Sequence, residues 1–261
     1  MAKGELMFTV VTVTYNAGNT IERTLLSVAS QTYPYVEHLI IDGCSSDHTM
    51  SVVRNHVENT PQAYRTLRLL REPDKGLYDA MNKGITQARG DYLIFLNAGD
   101  KFHENTTLEQ VAALASRFRK GLRPAVVYGE TDLVDDEGRF VRHRRLSTPS
   151  TLTWRSFLSG MRVCHQSFYV RADLARAEMY DLKWHFSADF DWCVRILHRA
   201  GRRHLPILNT ELILTDYLSE GLTTANHRAS LKERMRIMTH HYGWPSTLAA
   251  HLWFCIRSIF M

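Results

Sequence analysis

Several signatures that would assign a sequence of 261 residues to a common functional class are missing here. The dinucleotide fingerprint GxGxxG does not follow the first strand-like segment, where residues 15–20 read YNAGNT, and this excludes a glycine-cradled diphosphate. Cysteine is scarce and scattered, with no CxxC pair and no metal-ligand spacing to histidine, which excludes a cysteine-based zinc site and suits a reducing, cytoplasmic location. The four cysteines are Cys44, Cys164, Cys193 and Cys255.

Neither an export signal nor a membrane-spanning helix is predicted. Residues 1–5 are polar, and residues 8–13 are typical of a strand. The final helix, residues 246–261, contains His251 and Arg257 and is shorter than the ~20 apolar residues that a spanning helix needs. We expect it to lie on a membrane surface whose anionic headgroups attract the basic stretch before it, or else to pack on its own domain or on a dimer partner. The basic residues are Arg228, Lys232, Arg234 and Arg236.

The composition is that of an ordinary globular protein with an excess of basic residues. Hydrophobic residues make up 44% of the chain, enough for a buried core in one large domain or in a domain with an appendage. The formal net charge of +5 favours anionic partners such as nucleotides or phospholipid headgroups. Nucleic acid is not predicted as a partner, because no recognised binding module or set of stacking aromatic residues accompanies the charge.

Short strands alternate with helices over the first part of the chain. Apolar or β-branched runs predict strands at residues 8–14, 38–42, 67–70 and 92–96, and helical spacing covers residues 21–31, 49–59 and 77–88. This alternation predicts a doubly wound α/β sheet, whose binding sites gather at the carboxyl ends of the strands. Residues 14–16, Asp42 and residues 97–100 are therefore expected to be neighbours in space.

The second half of the chain is less regular. Helices are predicted over residues 108–118, 186–200 and 228–242, a strand over residues 125–128, and a turn at residues 135–138 between two short strands. Trp244 and Pro245 are expected to break the chain before the final helix.

Asp100 is a candidate metal ligand. Without a glycine-rich cradle, a diphosphate needs another partner, and a divalent cation held by a carboxylate at a strand end is the usual physical solution. The alternative is that residues 97–100 form only a polar turn before a helix cap. Asp42 follows a strand and could accept a hydrogen bond from a base or ribose, whereas Asp74 and Asp79 could equally be surface charges.

Two further carboxylates, Asp189 and Asp191, lie near the start of the helix predicted over residues 186–200. A carboxylate at this position could simply complement the helix dipole. It could also be a general base that accepts the proton of a reacting hydroxyl. Spacing does not distinguish the two residues.

Read together, these segments resemble the family-2 glycosyltransferases, and the likeness is greatest to the bacterial exopolysaccharide subset, such as the colanic acid glycosyltransferases. The matching stretches, which lie between Thr9 and about Thr223, are VTVTYN (11–16), IDGCSSDHT (41–49), EPDKGLYDAMNKG (72–84), FLNAGD (95–100), HQ (165–166) and SADFD (187–191). The third stretch is the most specific, because it is long and is not a generic helix start.

The resemblance implies a GT-A fold, which is a doubly wound mixed sheet flanked by helices, here with a C-terminal helical appendage. The glycosyltransferase domain would span residues 1–225, with a nucleotide-sugar-binding half over 1–104 and an acceptor-binding half over 105–225. Basic and amphipathic helices would follow over residues 226–261. The implied cofactor is Mn²⁺ or Mg²⁺, and the implied donor is a UDP- or GDP-sugar.

The same resemblance gives each candidate residue a role. Asp100 would bind the metal ion, and Asp189 would be the catalytic base. His165 and Gln166 would lie on the acceptor side. The residues that would hold the donor nucleotide are Thr14, Tyr15, Asn16, Asp42, Asp74, Asp79 and Asn97.

One departure from the family pattern concerns the metal. Members often carry two or three acidic residues where this chain has Asn97 and Gly99, so the ion is expected to bind weakly until the donor diphosphate completes the site. The expected reaction is an inverting transfer to a hydroxyl of a lipid-linked saccharide, at the cytoplasmic face of the inner membrane, in bacterial surface polysaccharide biosynthesis. The alternatives are a sugar nucleotidyltransferase, whose glycine-rich basic loop is absent here, and a non-catalytic module that binds nucleotide or lipid.

Overall fold

The structure is a computed structural model that describes residues 5–60, 67–119, 122–218 and 227–260. Its first part is a parallel sheet of β1 (Phe8–Thr14), β2 (Val36–Asp42), β3 (Leu67–Arg71) and β4 (Tyr92–Phe95). These parallel strands lie in the order β3-β2-β1-β4, so β2 and β3 are added on one side of β1 and β4 is added on the other. Strands β1, β2 and β4 are buried along their whole length; β1 and β4 consist of apolar and β-branched residues, whereas β2 also buries Glu37, His38 and Asp42.

Three helices connect these strands: α1 (Ile21–Ala29), α2 (Thr49–Asn59) and α3 (Leu77–Gln87). Their bounds agree with the predicted ones to within two residues, α1 being the helix that ends two residues early. Each helix buries one apolar stripe, such as Tyr78, Met81 and Ile85 of α3.

The remaining strands extend the sheet and make it mixed. They are β5 (Lys101–Phe102), β6 (Val126–Val134), β7 (Phe140–His143), β8 (Phe168–Arg171) and β9 (Ile207–Leu218). The full order is β3-β2-β1-β4-β8-β6-β9-β5, with β7 paired to β6. Strand β8 is antiparallel to both β4 and β6 and joins the two parts of the sheet.

Helices cover both faces of this sheet. They are α4 (Thr107–Ala115), α5 (Ala172–Ala177), α6 (Ala188–Arg202), α7 (His227–Tyr242) and α8 (Trp244–Phe260), with short 3₁₀ helices at Trp154–Ser159 and His165–Ser167. Alternate strand residues face opposite layers. Val11 and Phe95 pack in the layer with α3 and α6, whereas Val10 and Ile94 pack in the layer with α4. Within the described ranges, no helix combines the length and apolarity needed to cross a membrane.

Several predictions for the second half were wrong in detail. The strand predicted over residues 125–128 runs on to Val134, and β8, β9 and α5 were not predicted. The chain breaks at Gly243, which has a φ of +78°, and Pro245 lies in the first turn of α8, where its missing N–H costs nothing. The boundary at residues 225–226, the end of the motif region near Thr223 and the last residue of the final helix lie outside the described residues.

Candidate functional site

A cavity of about 450 Å³ opens at the carboxyl ends of β1 and β4. Seven of the predicted site residues line it: Thr14, Tyr15, Asn97, Asp100, His165, Gln166 and Asp189. A neighbouring cavity of about 600 Å³ shares Thr14 and Tyr15 with the first and is also lined by Asp74. Asn16, Asp42 and Asp79 line neither cavity. The strand ends therefore converge as the alternating pattern predicts.

Asn16 holds the loop that follows β2. Its φ of +51° lies in the left-handed region, which asparagine tolerates better than most residues. Its Oδ1 accepts a hydrogen bond of 2.8 Å from the Ser46 N–H, and its own N–H donates to Ser45 Oγ at 2.9 Å. In this structure the side chain of Asn16 supports the wall of the site and does not line it.

Asp42 is fully buried and its carboxylate is engaged within the protein. It accepts hydrogen bonds from the N–H and the hydroxyl of Ser45, and Arg71 Nε lies 3.1 Å from its Oδ2. Asp42 thereby fixes both the turn after β2 and the guanidinium at the end of β3. The role in donor binding that the resemblance implies for Asp42 stays a prediction.

Asp74 and Asp79 shape the start of α3. Asp74 Oδ1 accepts from the Gly76 N–H at 2.9 Å, and Asp79 Oδ2 accepts from the Lys75 N–H at 2.9 Å. Lys83 Nζ lies 3.9 Å from Asp79. Both carboxylates thus stabilise the turn into the helix, and Asp74 also faces the second cavity.

Asp100 lines the first cavity and is 2% exposed. Its Oδ1 accepts from the Leu218 N–H at 3.1 Å and its Oδ2 accepts from Gln166 Nε2 at 2.9 Å. Burial raises the pKa of its carboxyl to about 7, although these hydrogen bonds and the charge of Arg23 lower it. The protein thus holds a carboxyl group that an incoming cation would help to ionise.

The backbone around Asp100 is held from α1. Thr24 Oγ1 accepts from the Gly99 N–H at 2.9 Å and donates to the Asp100 carbonyl oxygen at 2.7 Å. Gly99 has a φ of +106°, a conformation that side-chain-bearing residues rarely adopt. The glycine therefore serves the turn that aims Asp100 into the cavity.

Two polar atoms in the cavity wall have no hydrogen-bond partner among the described residues. They are Thr14 Oγ1 and Asn97 Oδ1, and both are buried. A buried oxygen without a partner costs about 1–3 kcal/mol, so these two atoms are available to a polar group that binds in the cavity. Asn97 Oδ1 and the Asp100 carboxylate are also oxygen ligands of the kind that Mg²⁺ and Mn²⁺ prefer.

The structure separates Asp189 from Asp191. Asp189 lines the cavity, and its Oδ1 accepts a hydrogen bond of 3.2 Å from the Tyr78 hydroxyl. Asp191 is buried between Arg195 Nε, at 2.7 Å, and His241 Nε2, at 2.8 Å. These two partners hold the pKa of Asp191 below its usual value despite the burial. Asp189 is thus the carboxylate that faces the cavity.

His165 and Gln166 occupy a 3₁₀ turn before β8. His165 Nε2 lies 2.9 Å from the Tyr180 hydroxyl, and its ring stacks on Phe95 with centroids 5.2 Å apart. Burial lowers the pKa of His165 to about 4, so its ring is neutral at pH 7. Gln166 is the residue that links this turn to Asp100.

Some residues of the cavity were not predicted. Tyr78 lies within the stretch EPDKGLYDAMNKG, so the motif itself held the signal. Met161 and Cys164 lie in an irregular segment, and Tyr217 and Leu218 end a strand whose sequence is not continuously apolar. No sequence signal identified these four.

A second group of metal-ligand side chains lies away from the cavity. Within the described residues, ligand atoms of His103, Asp132 and Asp216 lie within 4.8 Å of one another. Thr131 and Thr215, the residues just before the two aspartates on β6 and β9, contact Ser167 and the Gln166 carbonyl oxygen, so the aspartates point to the opposite face. The Lys101 ammonium lies 2.9 Å from Asp216 and already balances its charge.

The known proteins that this chain resembles are glycosyltransferases. A family model described as Glycosyl transferase family 2 matches residues 9–176. The PGL/p-HBAD biosynthesis glycosyltransferase of Mycobacterium bovis is 30% identical over 190 residues, which are 72% of this chain and 69% of that protein.

Two solved structures are similar in fold. The crystal structure of S. aureus TarS 1-349 in complex with UDP-GlcNAc has a TM-score of 0.68 and 19% identity, and the match covers 90% of this chain and 66% of that chain. Mannosyltransferase PcManGT from Pyrobaculum calidifontis, in complex with GDP-Man and Mn²⁺, has a TM-score of 0.60 and 16% identity, over 94% of this chain and 74% of that chain. The predicted class of a mixed sheet flanked by helices is confirmed.

Proposed function

The chain belongs to glycosyl transferase family 2 and has the GT-A fold, and on this premise we propose that it moves a sugar from a nucleotide-sugar to an acceptor hydroxyl with inversion. One observation carries the proposal: Asp100 and Asp189 line the same cavity at the carboxyl ends of β1 and β4. A carboxylate is therefore available on the diphosphate side and another on the acceptor side.

The donor in this proposal is a UDP- or GDP-sugar, as in the similar structures with UDP-GlcNAc and GDP-Man. Its nucleoside occupies the second cavity, which Asp74 lines, and its diphosphate reaches the first cavity, which Asp100 lines. Thr14 lines both cavities, and its buried Oγ1 has no hydrogen-bond partner within the described part of the chain, which suits a contact with the donor. Tyr15 is exposed at the mouth of both cavities, where it can cover the base.

Mn²⁺ or Mg²⁺ would be held by the Asp100 carboxylate with the side-chain Oδ1 of Asn97. Both residues offer oxygen to the cavity, and one similar structure contains Mn²⁺. When bound, the ion would neutralise charge on the departing diphosphate. With one carboxylate in the motif, affinity for the ion is low until the donor diphosphate supplies further oxygen ligands.

Asp189 is the general base in this mechanism. Its carboxylate accepts the acceptor proton as the hydroxyl oxygen attacks the anomeric carbon from the face opposite the diphosphate, and the bond to the diphosphate oxygen breaks. The Tyr78 hydroxyl at Oδ1 orients the carboxylate and leaves Oδ2 for the acceptor. Burial and the charge of Asp189 raise the pKa of Tyr78, so this hydroxyl remains a donor at neutral pH.

A matched pair of variants tests the assignment. A panel of UDP- and GDP-sugars is first screened for thermal stabilisation with and without Mn²⁺, because a ligand of the native state raises its stability. Hydrolysis of the stabilising sugar is then measured for Asp189→Asn and Asp191→Asn. We expect Asp189→Asn to lose ~10²–10⁴-fold in kcat with donor binding retained. Near-normal turnover by Asp189→Asn would reject the proposal, and a loss in Asp191→Asn alone would transfer the role to that residue.

The acceptor is proposed to be a lipid-linked saccharide in bacterial surface glycan biosynthesis. His165 and Gln166 would line its side of the cavity, and the name of the Mycobacterium bovis relative supports a glycan product.

Two other functions remain as alternatives, a sugar nucleotidyltransferase and a non-catalytic module. Release of nucleoside diphosphate from the donor supports the transferase, release of pyrophosphate from a nucleoside triphosphate and a sugar phosphate supports the first alternative, and binding without turnover supports the second.

Helix α8 is proposed to attach the protein to the cytoplasmic face of the inner membrane. Thr247 is buried, and Ala250 and Phe254 pack on the core, whereas the opposite face of the helix is apolar and exposed. The exposed residues are Trp244, Leu248, Leu252, Trp253 and Ile256. Tryptophan and leucine beside basic side chains are typical of a helix that lies in the interface of an anionic membrane.

Flotation with vesicles tests this attachment. The variant Leu248→Ser/Leu252→Ser/Trp253→Ser removes the apolar face, and Leu122→Ser/Phe140→Ser/Val141→Ser removes exposed apolar residues elsewhere. We expect the first variant to lose flotation and the control to keep it. Equal flotation of both variants, or oligomers that only the first variant dissolves, would favour a protein partner for α8.

A further inference from the structure

A cationic groove of about 470 Å³ lies on the face of α6 turned away from Asp189. Arg195, His198, Arg199 and Arg202 follow one another at helical spacing and form one wall. Trp154 of the 3₁₀ helix and His240 and His241 of α7 form the other. We propose that this groove, called here the α6 groove, binds a phosphate group carried by a membrane lipid.

The charges of the α6 groove are unevenly compensated. Glu178 is the acidic residue of its lining, and its carboxylate forms ion pairs with Arg195 at 2.8 Å and with Arg199 at 2.6 Å. At the outer end of the groove, the Arg203 guanidinium lies 3.9 Å from the Asp173 carboxylate, and Arg202 has no ion pair among the described residues. The inner arginines are thereby held in place, and the outer guanidinium groups remain available to an anion.

Arginine is suited to this ligand because its planar guanidinium donates two parallel hydrogen bonds to phosphate oxygens. The volume of the groove fits a phosphate with its attached headgroup. Trp154 adds an aromatic wall, held by stacking on Tyr242 with centroids 5.4 Å apart and by the Tyr242 hydroxyl donating to its carbonyl oxygen at 2.6 Å. The site is thus preformed on its aromatic side.

The position of the groove favours a lipid over a soluble anion. Tyr242 ends α7, and α8 begins at the exposed Trp244, so the groove adjoins the start of the apolar face of α8. A phosphate at the depth of the headgroups would meet Arg202 and Arg203 while α8 contacts the acyl chains. This step rests on the membrane contact proposed above, whereas the phosphate chemistry of the groove does not.

The test removes the two outer charges. Arg202→Gln/Arg203→Gln is compared with wild type and with Arg117→Gln/Arg119→Gln, which removes two exposed arginines beyond the end of α4. Flotation is measured with phosphatidylcholine vesicles alone and with added phosphatidylglycerol or an isoprenyl phosphate. We expect the groove variant to lose the preference for anionic vesicles by about fivefold for each arginine removed, with binding to neutral vesicles retained.

The outcomes separate the sources of the anion. A loss confined to isoprenyl phosphate vesicles identifies the acceptor lipid, and a loss on both kinds identifies bulk headgroups. If wild type does not float at all, the proposed membrane attachment is wrong. The groove is then tested by the thermal stabilisation that inorganic phosphate gives in the absence of divalent cations, which we expect to be smaller for the groove variant than for the Arg117→Gln/Arg119→Gln control. An unchanged preference of the Gln variant for anionic vesicles overturns the proposal, as does equal stabilisation of both Gln variants by phosphate.

A second inference concerns Glu233 of α7, and it has an independent basis. Glu233 is buried, and its carboxylate accepts hydrogen bonds of 2.7 Å from each of the N–H groups of His185, Phe186 and Ser187. These residues directly precede α6, whose N-cap residue Ser187 makes no side-chain cap of its own. Helix α7 therefore holds, from another part of the chain, the backbone that leads into α6, including the N–H group of its N-cap residue.

We infer that Glu233 is a positioning residue for Asp189. Asp189 is the second residue of α6, so the turn that Glu233 holds fixes the direction in which its carboxylate points. Two further contacts hold the same turn to α7: Ser187 Oγ lies 3.0 Å from Ser230 Oγ, and Asp191 lies 2.8 Å from His241. The position of α7 is thereby coupled to the position of the proposed base.

Glu233→Gln keeps the size of the side chain but turns an amide group toward N–H donors. We expect kcat for hydrolysis of the donor sugar to fall about 10- to 100-fold while KM for the donor changes little, because misplacement of a catalytic group by about 1 Å has this effect. The control Asp135→Asn keeps an oxygen for the two backbone N–H donors of the β6–β7 turn, loses the hydrogen bond and ion pair from Arg139 Nε, and is expected to retain kcat.

The result distinguishes this inference from the function on which it rests. If Asp189→Asn is inactive and Glu233→Gln keeps its kcat while folded, the positioning role is overturned and the proposed function stands. If Asp189→Asn is active, the proposed function fails first. A parallel fall of kcat in Asp135→Asn and Glu233→Gln at equal loss of stability would mean a general structural effect.

Discussion

Gln166 Nε2 donates a hydrogen bond of 2.9 Å to Asp100 Oδ2, across 66 positions of sequence. The contact joins the turn after β4 to the turn before β8, which are the two parts of the chain that build the cavity. It also stabilises the ionised form of Asp100, which burial would otherwise disfavour. The balance between these effects gives Asp100 a pKa of about 7, close to neutral pH.

The first prediction follows from this raised pKa. Its folded value of about 7 lies above the ordinary 3.8, so the unfolded chain releases the proton first as pH rises. The free energy of unfolding of the metal-free protein therefore carries a term that falls between about pH 4 and pH 7 and is flat above. At about 1.4 kcal/mol per pKa unit, the term amounts to about 4 kcal/mol.

Asp100→Asn removes this term. The amide oxygen can accept only one of the two hydrogen bonds that Asp100 accepts, and the loss of the other lowers the free energy of unfolding of the variant by roughly 1–3 kcal/mol. At pH 8 without divalent cations we expect the variant to be about 1–3 kcal/mol more stable than wild type in urea unfolding, and to show no stabilisation by Mn²⁺ with the donor sugar. A variant that is less stable at pH 8 by the same measure would contradict the raised pKa.

The parallel part of the sheet was predictable because its physical cause is local. Strands β1, β2 and β4 are buried on both faces, so each contains a run of apolar or β-branched residues, and the helices between them carry one apolar stripe each. Strand β9 could not be found in this way, since its burial is partial and its sequence mixes polar and apolar residues. The antiparallel strand β8 is too short to show an alternation of polar and apolar residues.

In the site, sequence predicted which strand ends converge but not which contacts form there. Asp189 and Asp191 are two positions apart on a helix and so face different directions, and local pattern does not reveal which direction is inward. The structure shows the direction, because Arg195 and His241 bind the Asp191 carboxylate away from the cavity. His241 lies 50 positions from Asp191, on another helix. Such long-range partners depend on packing that no single segment encodes.

The second prediction concerns Trp192, which anchors α6 beneath the site. Its ring is fully buried, stacks on Tyr180 with centroids 4.7 Å apart, and donates from Nε1 to the Glu178 carbonyl oxygen. We expect Trp192→Ala to lower the free energy of unfolding by about 3–5 kcal/mol and Trp192→Phe by less. Trp244→Ala, at a half-exposed ring, should change stability by no more than about 0.5 kcal/mol in the same urea titration.

The third prediction compares two helical glycines. A Cβ at Gly84 of α3 would lie 2.4 Å from Val11 Cγ1 in the sheet, whereas a Cβ at Gly201 of α6 would meet nothing within 4 Å. Alanine gains about 1 kcal/mol of helix propensity over glycine in either helix, but at Gly84 overpacking costs about 1–3 kcal/mol. We expect Gly201→Ala to raise the melting temperature and Gly84→Ala to lower it. A rise in both would mean that α3 can move away from β1.

The fourth prediction concerns stability in acid and rests on His38 of β2. His38 is 3% exposed, and its Nε2 lies 2.9 Å from Thr12 Oγ1 on the neighbouring strand. Burial, with a smaller contribution from the charge of His56, lowers the pKa of His38 to about 3. Because the unfolded chain takes up the proton first as pH falls, this residue destabilises the protein progressively from about pH 6.5 down to about pH 3.

The terms of His38 and Asp100 have opposite signs between pH 4 and pH 6.5, so the wild-type profile alone conceals both. His38→Gln is therefore measured in the Asp100→Asn background, where the carboxyl no longer titrates. Glutamine keeps a polar partner for Thr12, and we expect it to reduce the loss of unfolding free energy between pH 6.5 and pH 4 by up to about 3 kcal/mol, at about 1.4 kcal/mol per pH unit. If His38→Gln leaves the acid slope unchanged, then His38 is protonated in the folded protein, and a rearranged β1–β2 pair must admit water or a counter-charge to the imidazole.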